Sequence, residues 1–291
     1  MKPGPQLAKK IFVENLIQID SPPKSATEWL VEIIQLQGWY TIESEIIETA
    51  EKWQGKFLML LRTELNTLHQ FGRFYNYTFN SSSDYMIQGF AYPEPKDSDR
   101  VKQAKTRRTF FKEYTTALKL LHPRDFEALC AGILSVMGVK QPKLTRYSAD
   151  EGIDFYGKLH LENLLFPNAV FPSIQRQLSI WIIGQAKHYI ASQGSTPEIR
   201  DLVGAIELAK GRAFGSSDDK FSDLRIRVCD PVFYLFITTG RITGNSWKLL
   251  TESGVIGMDG EMVASFLCDH SIGVTSNVFD YKEFYAWIKN I

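Results

Sequence analysis

From Pro123 to the C-terminus, segments with helical apolar spacing alternate with short strand-like runs, and this order constrains the fold more than any other feature of the 291-residue chain. Pro123 suits the first turn of a helix whose apolar stripe is Phe126, Leu129, Cys130, Ile133, Leu134 and Met137. Gly138 ends it in the position a left-handed cap prefers. Strands are predicted at 139–147, 152–161, 179–189 and 231–239, with a short one at 255–257. Helices are predicted at 196–210, 245–253 and 261–268, and Asp280 caps a last helix with Phe284, Trp287 and Ile288 facing inward. The alternation predicts an α/β domain, a mixed β-sheet flanked by helices.

The first hundred residues read as a mainly helical domain, α or α+β. Leu7, Ile11, Phe12 and Leu16 repeat at helical spacing. A second helix starts at Ser25, carries Trp29, Leu30, Ile33 and Ile34, and stops at Gly38; a third covers 48–68. The stretch 71–80 is aromatic and alternating and suggests a strand or hairpin. Arg73 among Phe71, Phe74, Tyr75, Tyr77 and Phe79 fits either base stacking or an aromatic core, and the alternation favours the core. Residues 92–99 have the proline and charge content of a linker, which places the domains at 1–99 and 100–291. From Arg100 to Arg124 there are eight Lys/Arg against one acid, Glu113. A solvated linker helix and a phosphate-contacting face both fit that bias. Lys102, Lys105, Arg107 and Arg108 are its candidate DNA contacts.

Bulk properties exclude several classes. Hydrophobic residues at 44% and charged residues at 23% argue against disorder. A net charge of zero argues against a protein that coats nucleic acid through bulk electrostatics. No apolar run is long enough to cross a bilayer, and the N-terminus makes a poor signal peptide. Cys130, Cys229 and Cys268 are scattered in apolar contexts and read as buried thiols of a reducing cytoplasm. The five histidines lack zinc-ligand spacing.

The chemistry concentrates in Asp150-Glu151-Gly152-Ile153-Asp154 and Gln185-Ala186-Lys187. Cleaving a phosphodiester requires neutralised phosphate charge, a hydroxide and a stabilised leaving oxygen, and a divalent ion held by a carboxylate can supply all three. Asp154 is the natural anchor. Gln185 and Lys187 share a strand face, Lys187 suits the handling of the attacking water, and Ala186 can offer its carbonyl to a metal. Gln185 supplies only a neutral oxygen, so the missing charge is expected from Glu127. Taken alone, this pattern also arises by chance, and Asp150 and Glu151 fit a solvated turn.

The order of the whole segment resembles the catalytic domain of Mrr-like restriction endonucleases, a branch of the PD-(D/E)xK nuclease superfamily. The resemblance runs from Leu121-His122-Pro123-Arg124-Asp125-Phe126-Glu127 through Met137-Gly138-Val139, the 150–154 turn and Gln185-Ala186-Lys187-His188-Tyr189. It continues through Ile237-Thr238-Thr239-Gly240 to 255–260. Departures are an insertion between Asp154 and Gln185, a polar insertion at 215–227, Glu151 in place of a glycine and His188 in place of an arginine. The resemblance implies a restriction-endonuclease-like fold with Glu127, Asp154, Gln185 and Lys187 as catalytic residues. Asp154, Glu127 and Ala186 would hold Mg²⁺, with Mn²⁺ as substitute, and His188 joins the DNA-contact candidates. The expected activity is Mg²⁺-dependent DNA cleavage in restriction or antiphage defence, by a protein that dimerises at least transiently. The alternatives are a nuclease effector released by a partner protein or phage signal, and a catalytically silent DNA-binding module.

Overall fold

Pro5 sets the first turn of α1 (Pro5–Ile11), which continues into a π-turn, Phe12–Leu16. The computed structural model describes residues 2–145, 152–161, 177–189, 193–194, 196–210, 224, 226–227 and 229–291. It divides the chain into two units, Met1–Lys112 and Glu113–Ile291. In the first unit, α2 (Ala26–Leu36) opens on a capping box: Ser25 Oγ accepts from the Glu28 N–H at 3.2 Å, and Glu28 Oε2 accepts from the Ser25 N–H at 2.7 Å. The long α3 (Glu43–Gln70) follows. β1 (Lys24–Ser25), β2 (Tyr77–Phe79) and β3 (Met86–Gly89) form an antiparallel sheet in the order β1-β3-β2.

Phe12 lies edge-on to Trp29, Phe57 and Tyr77, with ring centroids 5.2, 5.6 and 5.7 Å away. The aromatic stretch at 71–80 therefore yields one short strand, and Tyr77 belongs to the core. Its hydroxyl donates to the Leu61 carbonyl of α3 at 2.8 Å, and burial raises its pKa. The 92–99 segment is packed into this unit. Buried Glu94 accepts from Gln88 Nε2 at 2.8 Å and from the Ser81 N–H at 3.1 Å, while Asp97 pairs with Lys105 at 2.9 Å. α4 (Asp99–Arg108) buries none of its residues. The units divide at Lys112, inside α5 (Phe111–Leu120), so the basic helix lies in the N-terminal unit.

In the second unit, α6 (Pro123–Val136) buries the expected stripe except Met137, which is its exposed C-cap. Five strands form one sheet: β4 (Lys143–Leu144), β5 (Phe155–His160), β6 (Ser179–Lys187), β8 (Val232–Thr238) and β10 (Ile256–Met258). Their order is β10-β8-β6-β5-β4, with β10, β8 and β6 parallel and β5 and β4 antiparallel. β7 (Gln193–Gly194) pairs with β9 (Arg241–Ile242) in a small parallel ladder. The mixed α/β sheet matches expectation; its edges do not. The strand expected at 139–147 is only Lys143–Leu144, and residues 146–150 lie outside those described, as do the insertion at 162–176 and most of 215–227. Gly152 is left-handed (φ 78°), so pairing begins at Phe155 and not at residue 152.

Alternation divides the sheet's two faces. α6 packs on β4, β5 and β6, and Gly184 leaves room for the Phe155 ring, which a Cβ at 184 would strike. On the other face, Tyr156, Trp181, Ile183 and Phe236 form a core with Ile199 and Leu202 of α7 (Thr196–Lys210) and Leu250 of α8 (Gly244–Ser253). α9 (Gly260–Asp269) is capped by Asp259, and the last helix, α10 (Tyr281–Lys289), is capped by Asp280, which accepts from the Lys282 N–H at 2.7 Å. Gly132 of α6 lies directly under Trp287 and Ile291. Cys130 and Cys268 are buried, but Cys229 is exposed, contrary to its apolar sequence context. Among the described residues no helix is long and apolar enough to cross a membrane.

Candidate active site

Three sequence elements reach one end of the β5–β6 pair. Asp154 stands one residue ahead of β5, where the left-handed Gly152 delivers it. Its N–H donates to the Gly184 carbonyl at 2.9 Å, and its Oδ2 accepts from the Ala186 N–H at 2.8 Å. A side chain thus takes over from the backbone as acceptor where the two strands cease to pair. The N–H and carbonyl of one strand residue point to the same edge, so the Ala186 carbonyl is aimed toward Asp154 as well. On the far edge of Asp154, its carbonyl accepts from the Thr145 N–H at 3.0 Å.

Glu127 comes from the second turn of α6. It is ion-paired to Arg124, whose Nη2 also donates to the Thr145 carbonyl at 2.8 Å and so ties the helix to the end of β4. Burial raises the Glu127 pKa and the Asp154 charge adds to this, while Arg124 and Lys187 pull it down. Those couplings bring Glu127, Asp154 and Lys187 into one electrostatic cluster. Cys130, fully buried one turn along α6, has its thiol pushed up by burial and, further, by the same two carboxylates.

Lys187 closes β6. With the Gln185 amide oriented to satisfy both its ends, its oxygen accepts from Lys187 Nζ at 3.2 Å and its nitrogen donates to the Glu198 carbonyl of α7 at 3.2 Å. Gln185 is 4% exposed, so this contact fixes the lysine against a buried, helix-anchored amide. The residues just beyond are locked to the end of β8. The Thr239 N–H donates to the Lys187 carbonyl at 3.2 Å, and Thr239 Oγ1 accepts from the Tyr189 N–H at 2.8 Å and donates to its carbonyl at 3.0 Å. The Tyr189 hydroxyl bonds the Glu198 carboxylate.

The structure therefore brings Glu127, Asp154, Ala186, Gln185 and Lys187 together. His188 is engaged inside the domain: Nε2 lies 3.1 Å from the Leu118 carbonyl and the ring is edge-on to Phe126. Of the basic helix, Lys105 is held by Asp97 and by the Tyr92 carbonyl at 2.8 Å, and Arg108 stacks over Phe90 at 5.3 Å; Lys102 is exposed and Arg107 half-buried. Asp150 and Glu151 lie outside the described residues. Sequence reasoning did not single out Arg124, though its spacing three residues before Glu127 on a helix is a signal. Nor did it find Glu198, which acts through a backbone carbonyl and leaves no trace in residue type.

The donor set is two carboxylates and a carbonyl, all oxygen, with mutual carboxylate repulsion that a cation relieves; it fits a hard divalent ion such as Mg²⁺. Among the described residues no cluster of three His, Cys, Asp or Glu is placed to hold a metal. Residues 118–215 match the restriction endonuclease family model Mrr_cat. The matched segment contains Glu127, Asp154, Gln185 and Lys187. Among solved structures, the chain is similar to MspJI restriction endonuclease in complex with a 27-mer oligonucleotide, at 17% identity and TM-score 0.38, over 67% of this chain and 37% of that one. It is similar to the DNA modification-dependent restriction endonuclease AspBHI, at 18% identity and TM-score 0.39, over 72% and 46%. FokI restriction endonuclease bound to DNA aligns at 11% identity and TM-score 0.34, over 92% and 44%. The chain thus spans less than half the length of each of these proteins. No curated protein matches it.

Proposed function

We propose that the protein is a Mg²⁺-dependent DNA endonuclease of restriction or antiphage defence. The observation that carries this reading is the convergence of Glu127 and Asp154 with Lys187 where β5 and β6 separate. Asp154, Glu127 and the Ala186 carbonyl would hold Mg²⁺, or Mn²⁺ in its place. The bound ion would neutralise phosphate charge and supply the hydroxide. Lys187 orients the attacking water and donates to the charge that develops on the phosphate, the water's proton passing to solvent, and Gln185, anchored on α7, limits where the ammonium can go. Arg124 positions Glu127. Double-strand cleavage with one such site per chain needs two copies, so a transient dimer is part of the reading. The N-terminal unit would read DNA or a partner, with Lys102 as its exposed basic contact, and the protein would work in the cytoplasm.

Plasmid DNA incubated with the purified chain should be nicked or cut with Mg²⁺ or Mn²⁺, and EDTA or Lys187→Ala should stop it. Cleavage undiminished in Lys187→Ala refutes the assigned chemistry.

A further inference from the structure

On the β4–β5 side of the sheet a cleft of about 410 Å³ is walled by Lys140, Lys143, Lys158 and His160, with Tyr156 and Trp181 at its base. None of the site residues above lines it. We propose that this cleft binds backbone phosphates of the DNA flanking the scissile bond; the proposal rests on the reading of this domain as a DNA nuclease.

Register places the cleft relative to the site. Lys143 stands opposite Tyr156, and Lys158 opposite Trp181. Strand residues two apart share a face, so Trp181 and Ile183 lie on the face that also carries Gln185 and Lys187. The four residues from Asp154 to Lys158 span about 13 Å at ~3.3 Å each. DNA advances about 3.4 Å per nucleotide along each strand, so the cleft lies within a few nucleotides of the cut. α7 packs on β6 and β8, the other half of that face.

Charge and chemistry select the ligand. The unit Glu113–Ile291 carries more carboxylates than lysines and arginines, yet among the described residues no carboxylate lines this cleft. Lys158 is half-buried with Nζ 5.4 Å above the Trp181 ring, and the Trp181 indole N–H is fixed on Asp230 Oδ2 at 3.2 Å, so the ammonium is carried on a rigid aromatic floor. Lys140, Lys143 and His160 are exposed around it. Lysines act as point charges that grip phosphate without reading bases, which suits contacts that hold the duplex in place. Tyr156 and Trp181 are themselves nearly covered, so the open wall offers cations and not a stacking surface.

The test uses the full chain, with fluorescence anisotropy of a labelled duplex in EDTA across a KCl series, alongside plasmid cleavage with Mg²⁺. Lys140→Glu/Lys158→Glu should weaken binding at least ~10-fold at low salt and lower the salt slope by about 2, since each lost phosphate contact removes ~0.9. Lys158→Arg should restore most of its share. If the double variant unfolds, judged by circular dichroism, Lys140→Glu/Lys143→Glu takes its place. A double variant with wild-type affinity and slope overturns the cleft, as does a wild-type chain that binds no DNA at low salt. Preferential, saturable binding of AMP over duplex at the cleft also overturns it, in favour of a free-nucleotide site. Wild-type binding that depends on these lysines, without cleavage under Mg²⁺ or Mn²⁺, supports the cleft while refuting the nuclease reading.

Discussion

Asp154 has two separable jobs, and the pair Asp154→Asn and Asp154→Ala should separate them. Its carboxylate supplies charge to the site, and Oδ2 is the acceptor for the buried Ala186 N–H at 2.8 Å. Both substitutions delete the same negative charge and relieve the same repulsion with Glu127. That electrostatic change cancels when the two variants are compared. What remains is the acceptor, which asparagine keeps through its carbonyl oxygen and alanine does not. An orphaned buried N–H costs about 1–3 kcal/mol. In a domain of this size 1 kcal/mol shifts the melting point by about 2–4 °C, so the alanine variant should melt roughly 2–12 °C below the asparagine variant. Cleavage should fall at least ~100-fold in both, because the loss of a metal ligand exceeds the loss of a group that merely supports one. Differential scanning fluorimetry without metal and a plasmid assay with Mg²⁺ read the two effects. Equal melting points would show that the Ala186 N–H does not depend on Asp154. Cleavage surviving in Asp154→Asn would refute its place as metal anchor.

Glu127→Gln should keep the fold and weaken Mn²⁺ binding by ~10-fold or more in calorimetry, whereas Lys187→Ala should leave Mn²⁺ binding intact; a wild-type Mn²⁺ affinity in Glu127→Gln removes it from the ligand set. Asp259, the cap of α9, has its pKa raised to about 6, chiefly by burial. The folded state therefore holds that proton more tightly than the unfolded chain, and stability falls as pH rises from about 4 to about 6 and stays low above. Asp259→Asn, which can still cap, should flatten that limb and add on the order of 2 kcal/mol at pH 7, checked by urea melts at both ends of the window; an unchanged pH profile would remove Asp259 as its cause. Gly184→Ala drives a Cβ into the Phe155 ring and should cost about 1–3 kcal/mol, part of which Gly184→Ala/Phe155→Leu should recover; simple additivity in chemical denaturation would show that the two do not clash.

What was legible in the sequence follows from where burial decides the conformation. The α6 stripe, the middle of β6 and the second half of β8 are buried, so their pattern read through to the fold. The edge strands did not. β4 shrank to two residues, and β5 started late because the left-handed Gly152 cannot join a ladder. The aromatic stretch at 71–80 alternates like a strand, yet only three residues pair, since Tyr77 is drawn into the core by the Leu61 carbonyl of α3 and Arg73 turns onto Phe71. The segment at 92–99 has a linker's composition, but Glu94 finds neutral donors at Ser81 and Gln88 that only the folded unit assembles. At the candidate site, residue type and strand alternation singled out Asp154, Gln185 and Lys187, which the fold brings close together. The partners that hold them come through backbone carbonyls and a neighbouring helix, and such partners have no residue signature.

Gln185 shows why that second group matters. From spacing alone it reads as a weakened glutamate, a metal ligand lacking its charge. In the folded domain it is buried, with one end of its amide on Lys187 Nζ and the other on the Glu198 carbonyl. A carboxylate at 185 would have no proton to give that carbonyl, and would leave it facing a like partial charge in a site that already holds Asp154 and Glu127. Only an amide both accepts from the lysine and donates to the helix. The two carboxylates are already matched by Arg124 and Lys187, so a third would also leave the cluster with an unbalanced buried charge, the costliest kind. Glutamine is therefore what the seating of α7 on β6 requires. On the proposed reading, the charge a glutamate would contribute comes instead from Glu127, on the opposite side of the sheet, where Arg124 holds it.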